Sequence, residues 1–265
     1  KVPLFIGIDE EGGDVVRMAE KLTPPPSQKE IGATGDIEQA KTWAIKTAKS
    51  LKDMGINVNF APVADVGSND KRSYSIDTNT VIDFVRAATE GYQQENIIYS
   101  LKHFPGIGKG RVDSHVDSSS IDVAKEVLMA EDILPFKTII DGNEPNDYFI
   151  LVSHLKYPAL DEEYPASLSS KIMTDLLRNE LGYKGIIITD DMEMGAVANH
   201  NDFRSIGVKA VKAGADIVLV CHEYKHQQEV YLGLLDAVNS GEISQERIDE
   251  SVKRIIKVKL LHLYQ

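Results

Sequence analysis

Short apolar runs alternate along the chain with longer stretches in which apolar residues recur every three or four positions. Runs of this length that are rich in β-branched residues indicate buried β-strands. The predicted strands are PLFIGID (Pro3 to Asp9), INVNFAPV (Ile56 to Val63), IIYSLKHF (Ile97 to Phe104), YFILVSH (Tyr148 to His154), GIIITDD (Gly185 to Asp191) and ADIVLV (Ala215 to Val220).

The intervening stretches have the periodicity of amphipathic helices. The first clear helix is predicted from near Asp36 to Gly55, and its buried face should carry Ala40, Trp43, Ala44, Thr47, Ala48 and Leu51. Others are expected over 81–94, over 123–141 with a break at Pro135, over a segment capped by Ser169 or Ser170 and ending at Gly182, and over 203–213. Two helices close the chain. The last is capped by Ser244 and should bury Ile248, Val252, Ile255 and Ile256.

Alternation of strands and helices, with strands that are apolar throughout, is typical of an α/β fold with a parallel sheet covered by helices. No Gly-x-Gly-x-x-Gly follows the first strand, which disfavours a dinucleotide-binding fold. We therefore predict a (β/α)8 TIM-type barrel, with residues 1–265 as one domain. Six strands can be counted where such a barrel has eight, so at least one more is expected upstream of residue 1.

Composition narrows the classes of partner. A net charge of −12 over 265 residues leaves no basic stripe that could neutralise nucleic-acid phosphates. The single cysteine excludes an internal disulfide, and no apolar run approaches the ~18 residues of a membrane span. Neither the compartment (cytoplasmic, cell-envelope or secreted) nor the oligomeric state follows from the sequence.

Polar residues follow the apolar runs at their C-terminal ends. They are Asp9, Asp65, Lys102 with His103, Ser153 with His154, and Asp190 with Asp191. The carboxyl ends of parallel barrel strands open onto one mouth, where barrel enzymes keep their active sites. Buried Lys, His and Asp side chains are also costly unless they are paired, which favours a functional cluster over a set of unrelated loop residues.

The segment KHFPGIGKGRVDSH, from Lys102 to His115, adds a second signal. Asp113 lies two residues before His115, and a carboxylate bonded to one ring nitrogen fixes the tautomer and raises the basicity of the other. Such a histidine can donate and accept a proton near neutral pH. Three glycines (Gly106, Gly108 and Gly110) precede the pair, and we expect them to let the loop move over a ligand.

This segment resembles the KHFPGHG…DSH signature of glycoside hydrolase family 3, in its β-N-acetylglucosaminidase branch. Other stretches resemble the same family and extend the resemblance over essentially the whole chain. They are GIDEEGGDVVR, NFAPVADV with RSYS, SHLKYPAL, PASLS and IITDDMEMGAV. The resemblance implies a barrel that releases terminal β-linked N-acetylglucosamine, typically from peptidoglycan fragments, through a covalent glycosyl-aspartate and without a metal or other cofactor.

Carried over by position, the resemblance makes Asp190 the nucleophile, His115 the general acid/base and Asp113 the partner that orients it. The sugar-binding set that it implies is Asp9, Arg17, Arg72, Lys102 and His103. Asp191 and Glu193 are weaker candidates, with Asp191 a supporting residue or one at a helix N-terminus.

Three positions depart from the family pattern. Ile107 replaces a histidine, Lys109 and Arg111 replace acidic loop residues, and Glu10 replaces a glutamine. These changes leave the aglycone preference and the loop closure open. The two basic residues either attract an acidic peptide stem or lie on a solvated loop face.

Several alternatives remain at this point. The same fold could serve a β-glucosidase or a β-xylosidase, a substrate-assisted glucosaminidase or a non-catalytic sugar-binding protein. A metal-dependent hydrolase could use His103, His115, His154 and Asp190 as ligands. A Schiff-base enzyme could use Lys102. If His115 is not the proton donor, Glu10 and His154 are the next candidates.

Overall fold

A computed structural model describes residues 2–67, 71–109 and 119–264, and within them six parallel strands form one curled sheet, a half-barrel. The strands are β1 (Gly7–Ile8), β2 (Val58–Asn59), β3 (Ile98–Phe104), β4 (Tyr148–Val152), β5 (Ile186–Asp191) and β6 (Ile217–Leu219), paired in that order. Each predicted run contains a strand. An eight-stranded barrel is not seen in the described residues, where β1 and β6 are the two edges.

The first two strands are much shorter than the sequence predicts. Val58 and Asn59 pair with β3, and parallel pairing resumes only where Val63 bridges Lys102. Pro62 lies between these two points and has no N–H to donate, which interrupts the ladder. The second strand is therefore interrupted at Pro62, which the sequence pattern predicts to lie inside the strand.

Helices cover both faces of the sheet. They are α1 (Gln28–Ala33), α2 (Ile37–Asp53), α3 (Thr78–Gln94), α4 (Lys125–Ala130), α5 (Leu134–Gly142), a π-helix (Lys171–Glu180), α6 (Gly195–Ala198), α7 (Phe203–Ala213), α8 (Tyr224–Asn239) and α9 (Gln245–His262). Ser244 caps α9 as predicted, α2 begins next to Asp36, which caps it, and Pro135 lies in the first turn of α5 after a break. Ser169, not Ser170, accepts from the N–H of Ile172 at the start of the π-helix. No helix in the described residues is both long and apolar enough to cross a membrane.

Alternate residues of the central strands pack into two different cores. Tyr99 and Leu101 of β3 join the large core against the covering helices, whereas Ile98 faces a smaller core on the other side of the sheet. Val258 of α9 closes that smaller core. Because both faces are buried, β3 shows no regular alternation of polar and apolar residues, and a small buried serine, Ser100, precedes Lys102.

The predicted buried face of α9 is wrong in part: Ile248, Ile255 and Ile256 are only half-buried, and the buried residues of α9 are Ser251 and Val258. Val252 of α9 is 47% exposed, although the periodicity predicts that it is buried. Val252 lines an apolar groove of about 360 Å³ between α8 and α9. No described residue fills this groove, so Val252 lies at its rim and not in the core.

A buried carboxylate ties the chain together at the end of the sheet where β6 begins. Asp216 receives hydrogen bonds from Arg178 of the π-helix (2.8 Å), and from Arg254 (2.9 Å) and Ser251 (2.6 Å) of α9. It also accepts from the N–H of Ile187 in β5 at 3.0 Å. One side chain therefore joins three elements, and its removal would leave arginines without their buried counter-ion.

We predict that Asp216→Asn lowers the free energy of unfolding by about 3–5 kcal/mol, the usual cost of breaking a buried ion pair. The matched control is Asp236→Asn, because Asp236 pairs with Arg204 but is 63% exposed, against 0% for Asp216. The control should lose less than about 1 kcal/mol. Urea unfolding followed by circular dichroism measures both, and equal losses would contradict the assignment.

Candidate active site

All six predicted site residues in the described part of the chain line one pocket at the carboxyl ends of the strands. The pocket is lined by Asp9, Glu11, Val15, Arg17, Arg72, Lys102, His103, Ile107, Ser153, His154, Asp190 and Met194. Asp113 and His115, the other two predictions, lie outside the described residues. Sequence reasoning did not assign Glu11, and it left His154 as a reserve candidate.

The turn after β1 is held by buried hydrogen bonds beneath the pocket. The Glu10 N–H donates to Asn59 Oδ1 at 3.0 Å, and Glu10 Oε2 accepts from the N–H groups of Arg17 (2.8 Å) and Met18 (3.1 Å). At Gly12, φ is +109° and a Cβ would lie 2.2 Å from Pro26 O, so only glycine fits. Glu10 thus braces the loop that carries Arg17, which leaves it poorly placed as a reserve proton donor.

Lys102 is the buried cation at the centre of the pocket. Its side chain is 2% exposed, and Nζ lies 2.5 Å from both Asp9 Oδ1 and Glu11 Oε1. Burial acts to lower the pKa of Lys102, but the two carboxylates outweigh burial and raise that pKa. A Schiff base forms on a neutral amine, so this environment argues against the Schiff-base alternative.

Glu11 is the residue that joins the cations. Its Oε2 accepts from Arg72 Nε at 2.9 Å and its Oε1 from Arg72 Nη2 at 2.8 Å, a bidentate pair beside the contact with Lys102. Burial acts to raise the pKa of Glu11, but Lys102 and Arg72 outweigh it and lower this pKa to about 2. The sequence does contain a signal for Glu11. It lies two residues after Asp9, and in an extended chain side chains two positions apart point to the same side.

His103 links Arg72 to a second buried carboxylate. Asp65 Oδ2 lies 2.8 Å from His103 Nδ1, and Asp65 Oδ1 accepts from the N–H groups of His103 (3.1 Å) and Ile107 (2.9 Å). His103 Nε2 lies 3.0 Å from Arg72 Nη2. A guanidinium only donates, so Nε2 accepts and the network assigns the proton to Nδ1.

Asp190 is the penultimate residue of β5, on the opposite side of the pocket, and its Oδ1 accepts from the Asp191 N–H at 2.9 Å. Burial acts to raise the pKa of Asp190, but this hydrogen bond and the charge of Lys102 outweigh burial and lower the pKa. Asp190 is therefore an anion at neutral pH. Its position at a strand end and its charge fit a nucleophile.

Both ring nitrogens of His154 form hydrogen bonds within the protein. Nε2 lies 2.8 Å from the Asp191 carbonyl, so it donates, and Nδ1 accepts from the Ser167 hydroxyl at 2.7 Å. Burial lowers the pKa of His154, which keeps the imidazole neutral. It is thus poorly placed as a reserve proton donor or as a metal ligand.

His103 is likewise bonded through both nitrogens, which removes a second ligand from the metal-dependent alternative. Within residues 2–67, 71–109 and 119–264, no three His, Cys, Asp or Glu side chains are placed to share a metal ion. The remaining predicted ligand, His115, lies outside these residues.

The glycines after β3 allow close packing of neighbouring chain segments, whereas the sequence predicts that they let the loop move. Gly106 has φ +122° and its Cβ would lie 2.9 Å from Asp132 Cβ, while a Cβ on Gly108 would lie 2.0 Å from Val66 O. Gly106 and Gly108 therefore pack closely between neighbouring chain segments, and the motion of the loop over a ligand stays a prediction. Gly110 lies outside the described residues.

Lys109 follows these glycines and is already paired. Its Nζ lies 2.6 Å from both Glu131 Oε2 and Asp132 Oδ2. Its charge is thus matched by two carboxylates, which weakens the idea that it attracts an acidic peptide stem. Arg111, the other basic departure, lies outside the described residues.

The chain is similar to proteins of one known family. The glycosyl hydrolase family 3 N terminal domain model matches residues 1–258. Beta-hexosaminidase A of Pseudoalteromonas piscicida is 35% identical, over 98% of this chain and 48% of that protein. A beta-hexosaminidase of Nitrosomonas eutropha is 30% identical, over 94% of this chain and 75% of that protein.

A solved structure is also similar. The glycoside hydrolase family 3 beta-N-acetylglucosaminidase from Paenibacillus sp. str. FPU-7 superposes with a TM-score of 0.94 at 38% identity, over 98% of this chain and 50% of that one. The chain spans about half the length of the Pseudoalteromonas and Paenibacillus proteins.

We predict that Glu11→Gln lowers the free energy of unfolding by about 3 kcal/mol at pH 7, because the pKa of Glu11 falls from 4.5 to about 2 on folding. A depressed carboxyl pKa stabilises the fold above pH 4.5, and this stabilisation is lost as the pH falls toward 2. The unfolding curves of wild type and variant should therefore converge across that window. A difference that is unchanged from pH 7 to pH 2 would contradict the assignment.

Proposed function

Because the chain belongs to glycosyl hydrolase family 3, we propose that it is a retaining glycosidase that releases terminal β-linked N-acetylglucosamine. The observation that carries the proposal is the ionised Asp190 facing the paired cluster of Asp9, Glu11, Arg72 and Lys102 in one pocket. A retaining glycosidase needs a carboxylate that attacks the anomeric carbon and a proton donor for the leaving oxygen.

In the first step of the proposed mechanism, Asp190 attacks the anomeric carbon and a covalent glycosyl-aspartate forms as the glycosidic bond breaks. The hydrogen bond from the Asp191 N–H orients one oxygen of Asp190, which leaves the other for attack. In the second step, water attacks the same carbon and frees Asp190.

The sugar would be held by the paired cluster and by Arg17. Asp9 would accept from sugar hydroxyls, while Arg17, Arg72 and Lys102 would donate to hydroxyls and to the acetamide oxygen. His103 would contact the sugar beside Arg72. Because Glu11 and Asp65 already fix three of these groups, the site would be organised before substrate arrives, which limits the entropic cost of binding.

The proton transfers are proposed from the sequence. His115 would protonate the leaving oxygen and then take a proton from the attacking water, and Asp113 would orient its ring. Support comes from the Asp-x-His spacing after the KHFPG segment. It also comes from the described pocket, whose lining does not include Glu10 and in which both ring nitrogens of His154 are engaged.

The beta-hexosaminidase names of the relatives support a hexosamine, and the similar beta-N-acetylglucosaminidase structure supports N-acetylglucosamine as that sugar. We propose peptidoglycan fragments as its source. For the architecture, we propose that residues 1–265 are one domain and that two further parallel strands between β6 and β1 would complete an eight-stranded barrel. In its favour, β1 and β6 each pair on one side only in the described residues, and Leu4 and Tyr231 are exposed near them.

We predict that a 2-acetamido-2-deoxy-5-fluoro glycosyl fluoride labels Asp190, because it forms the glycosyl-enzyme faster than water removes it. Asp190→Asn should abolish labelling and lower kcat on the order of 10⁴-fold, as loss of a nucleophile does. Mass spectrometry of a digest locates the label, and Asp236→Asn is the control. An active enzyme that is labelled elsewhere, or not at all, would point to another nucleophile or to a substrate-assisted route.

We predict that His115→Ala loses about 10²–10⁴-fold in kcat on a natural disaccharide, the usual contribution of general acid/base catalysis. With an activated aryl glycoside the first step needs little protonation, so a burst should precede slow turnover, and azide should restore turnover as a β-glycosyl azide. Asp113→Asn should behave similarly but more weakly. Equal losses on both substrates, without a burst or azide rescue, would show that His115 is not the proton donor.

A further inference from the structure

Glu193 joins two loops beside the pocket, and the proposed mechanism does not use it. Its Oε2 accepts from the N–H of His222 at 2.5 Å, and its Oε1 accepts from the N–H of Glu223 at 2.9 Å and lies 2.7 Å from His226 Nδ1. The Glu193 side chain is 8% exposed. A single carboxylate on the loop after β5 thus holds the loop after β6 and the start of α8.

Asp191 makes a parallel set of contacts on the same two loops. Its Oδ1 accepts from the N–H groups of Glu193 at 3.2 Å and Cys221 at 3.1 Å, and its Oδ2 lies 3.2 Å from His222 Nε2. We call Asp191 and Glu193 with the backbone of 221–223 and His226 the latch. Backbone N–H groups donate hydrogen bonds to both of its carboxylates, which fixes the two loops relative to each other.

The latch contacts Asp190, the proposed nucleophile, through one of its members, Asp191. The Asp191 N–H donates to Asp190 Oδ1, and the Asp191 carbonyl accepts from His154 Nε2. The next N–H, that of Met192, donates to the carbonyl of Leu219 in β6 at 3.0 Å. The peptide between Asp191 and Met192 is therefore held through both its carbonyl and its N–H, which fixes the backbone next to the Asp191 N–H that orients the Asp190 carboxylate.

The outer end of the latch is held by an aromatic contact. The ring of His226 stacks on Phe203 with centroids 3.8 Å apart and an interplanar angle of 11°. Burial acts to raise the pKa of Glu193, but the His222 N–H, the His226 side chain and the Glu223 N–H outweigh burial and lower the pKa. Glu193 thus stays a charged acceptor, which makes the bonds to the loop after β6 strong.

We propose that Glu193 is a positioning residue for the glycosidase reaction: by fixing the loop after β6 to the loop after β5, it sets the orientation of the Asp190 carboxylate. This inference rests on the proposed function, in which Asp190 is the nucleophile. Glu193 touches no sugar-binding residue of the pocket in any contact described above. Its loss should therefore slow formation of the glycosyl-enzyme while leaving affinity for the sugar almost unchanged.

The test compares Glu193→Ala with Glu229→Gln, a control on α8 whose carboxylate pairs with exposed Lys225. Three quantities are measured: the rate at which the 5-fluoro glycosyl fluoride labels Asp190, kcat on an aryl glycoside, and the Kd of N-acetylglucosamine by calorimetry. For Glu193→Ala, labelling and kcat should both fall about 10²-fold, the cost of a small misplacement of a reacting group. The Kd should stay within about 3-fold of wild type, and the control should match wild type.

A second variant covers the case in which Glu193→Ala does not fold. His226→Phe keeps a ring against Phe203 but removes the donor to Glu193 Oε1, so labelling should slow in the same direction by a smaller factor. Unchanged labelling rates in the folded variants, or a Kd that weakens in step with labelling, would overturn the positioning role. If active wild type is not labelled at Asp190, the nucleophile assignment and this inference both fail. If wild type is labelled and the variants match it, only the inference fails.

Discussion

The buried ammonium of Lys102 is the constraint on which the rest of the site depends. A charge with 2% exposure is tolerable only beside counter-ions, and Asp9 and Glu11 supply them from the turn after β1. Glu11 in turn holds Arg72, and Arg72 meets His103, which Asp65 fixes. The carboxyl ends of β1, β2 and β3 are thereby joined by one chain of charge and hydrogen bonds.

The opposite side of the pocket is organised by a different principle. There the backbone around Asp190 is fixed by hydrogen bonds to neighbouring loops, and few cations are involved. The two halves suit different tasks in the proposed reaction: dense charge pairing holds donors and acceptors for a polyhydroxylated ring, and a firm backbone aims a single carboxylate. Both rest on strands whose faces are buried, so the framework beneath them is rigid.

Much of this arrangement could be predicted from the sequence, because its signals are local. The run that became β3 is long and apolar on both faces, and Lys102 at its end marked the mouth of the sheet. Glu11 was missed because a carboxylate in a glycine-rich turn reads as solvated, and its burial depends on cations 61 and 91 positions away, at Arg72 and Lys102. The close packing of Gly108 could not be predicted for a similar reason, since the approach of Val66 O is a tertiary contact.

The charges that line the pocket have a consequence for long-range electrostatics. Among its described lining residues, three carboxylates (Asp9, Glu11 and Asp190) face three cations (Arg17, Arg72 and Lys102). The chain's excess of −12 therefore resides elsewhere on its surface. An uncharged sugar entering such a balanced pocket displaces few counterions and meets little net field, so its affinity should vary little with ionic strength.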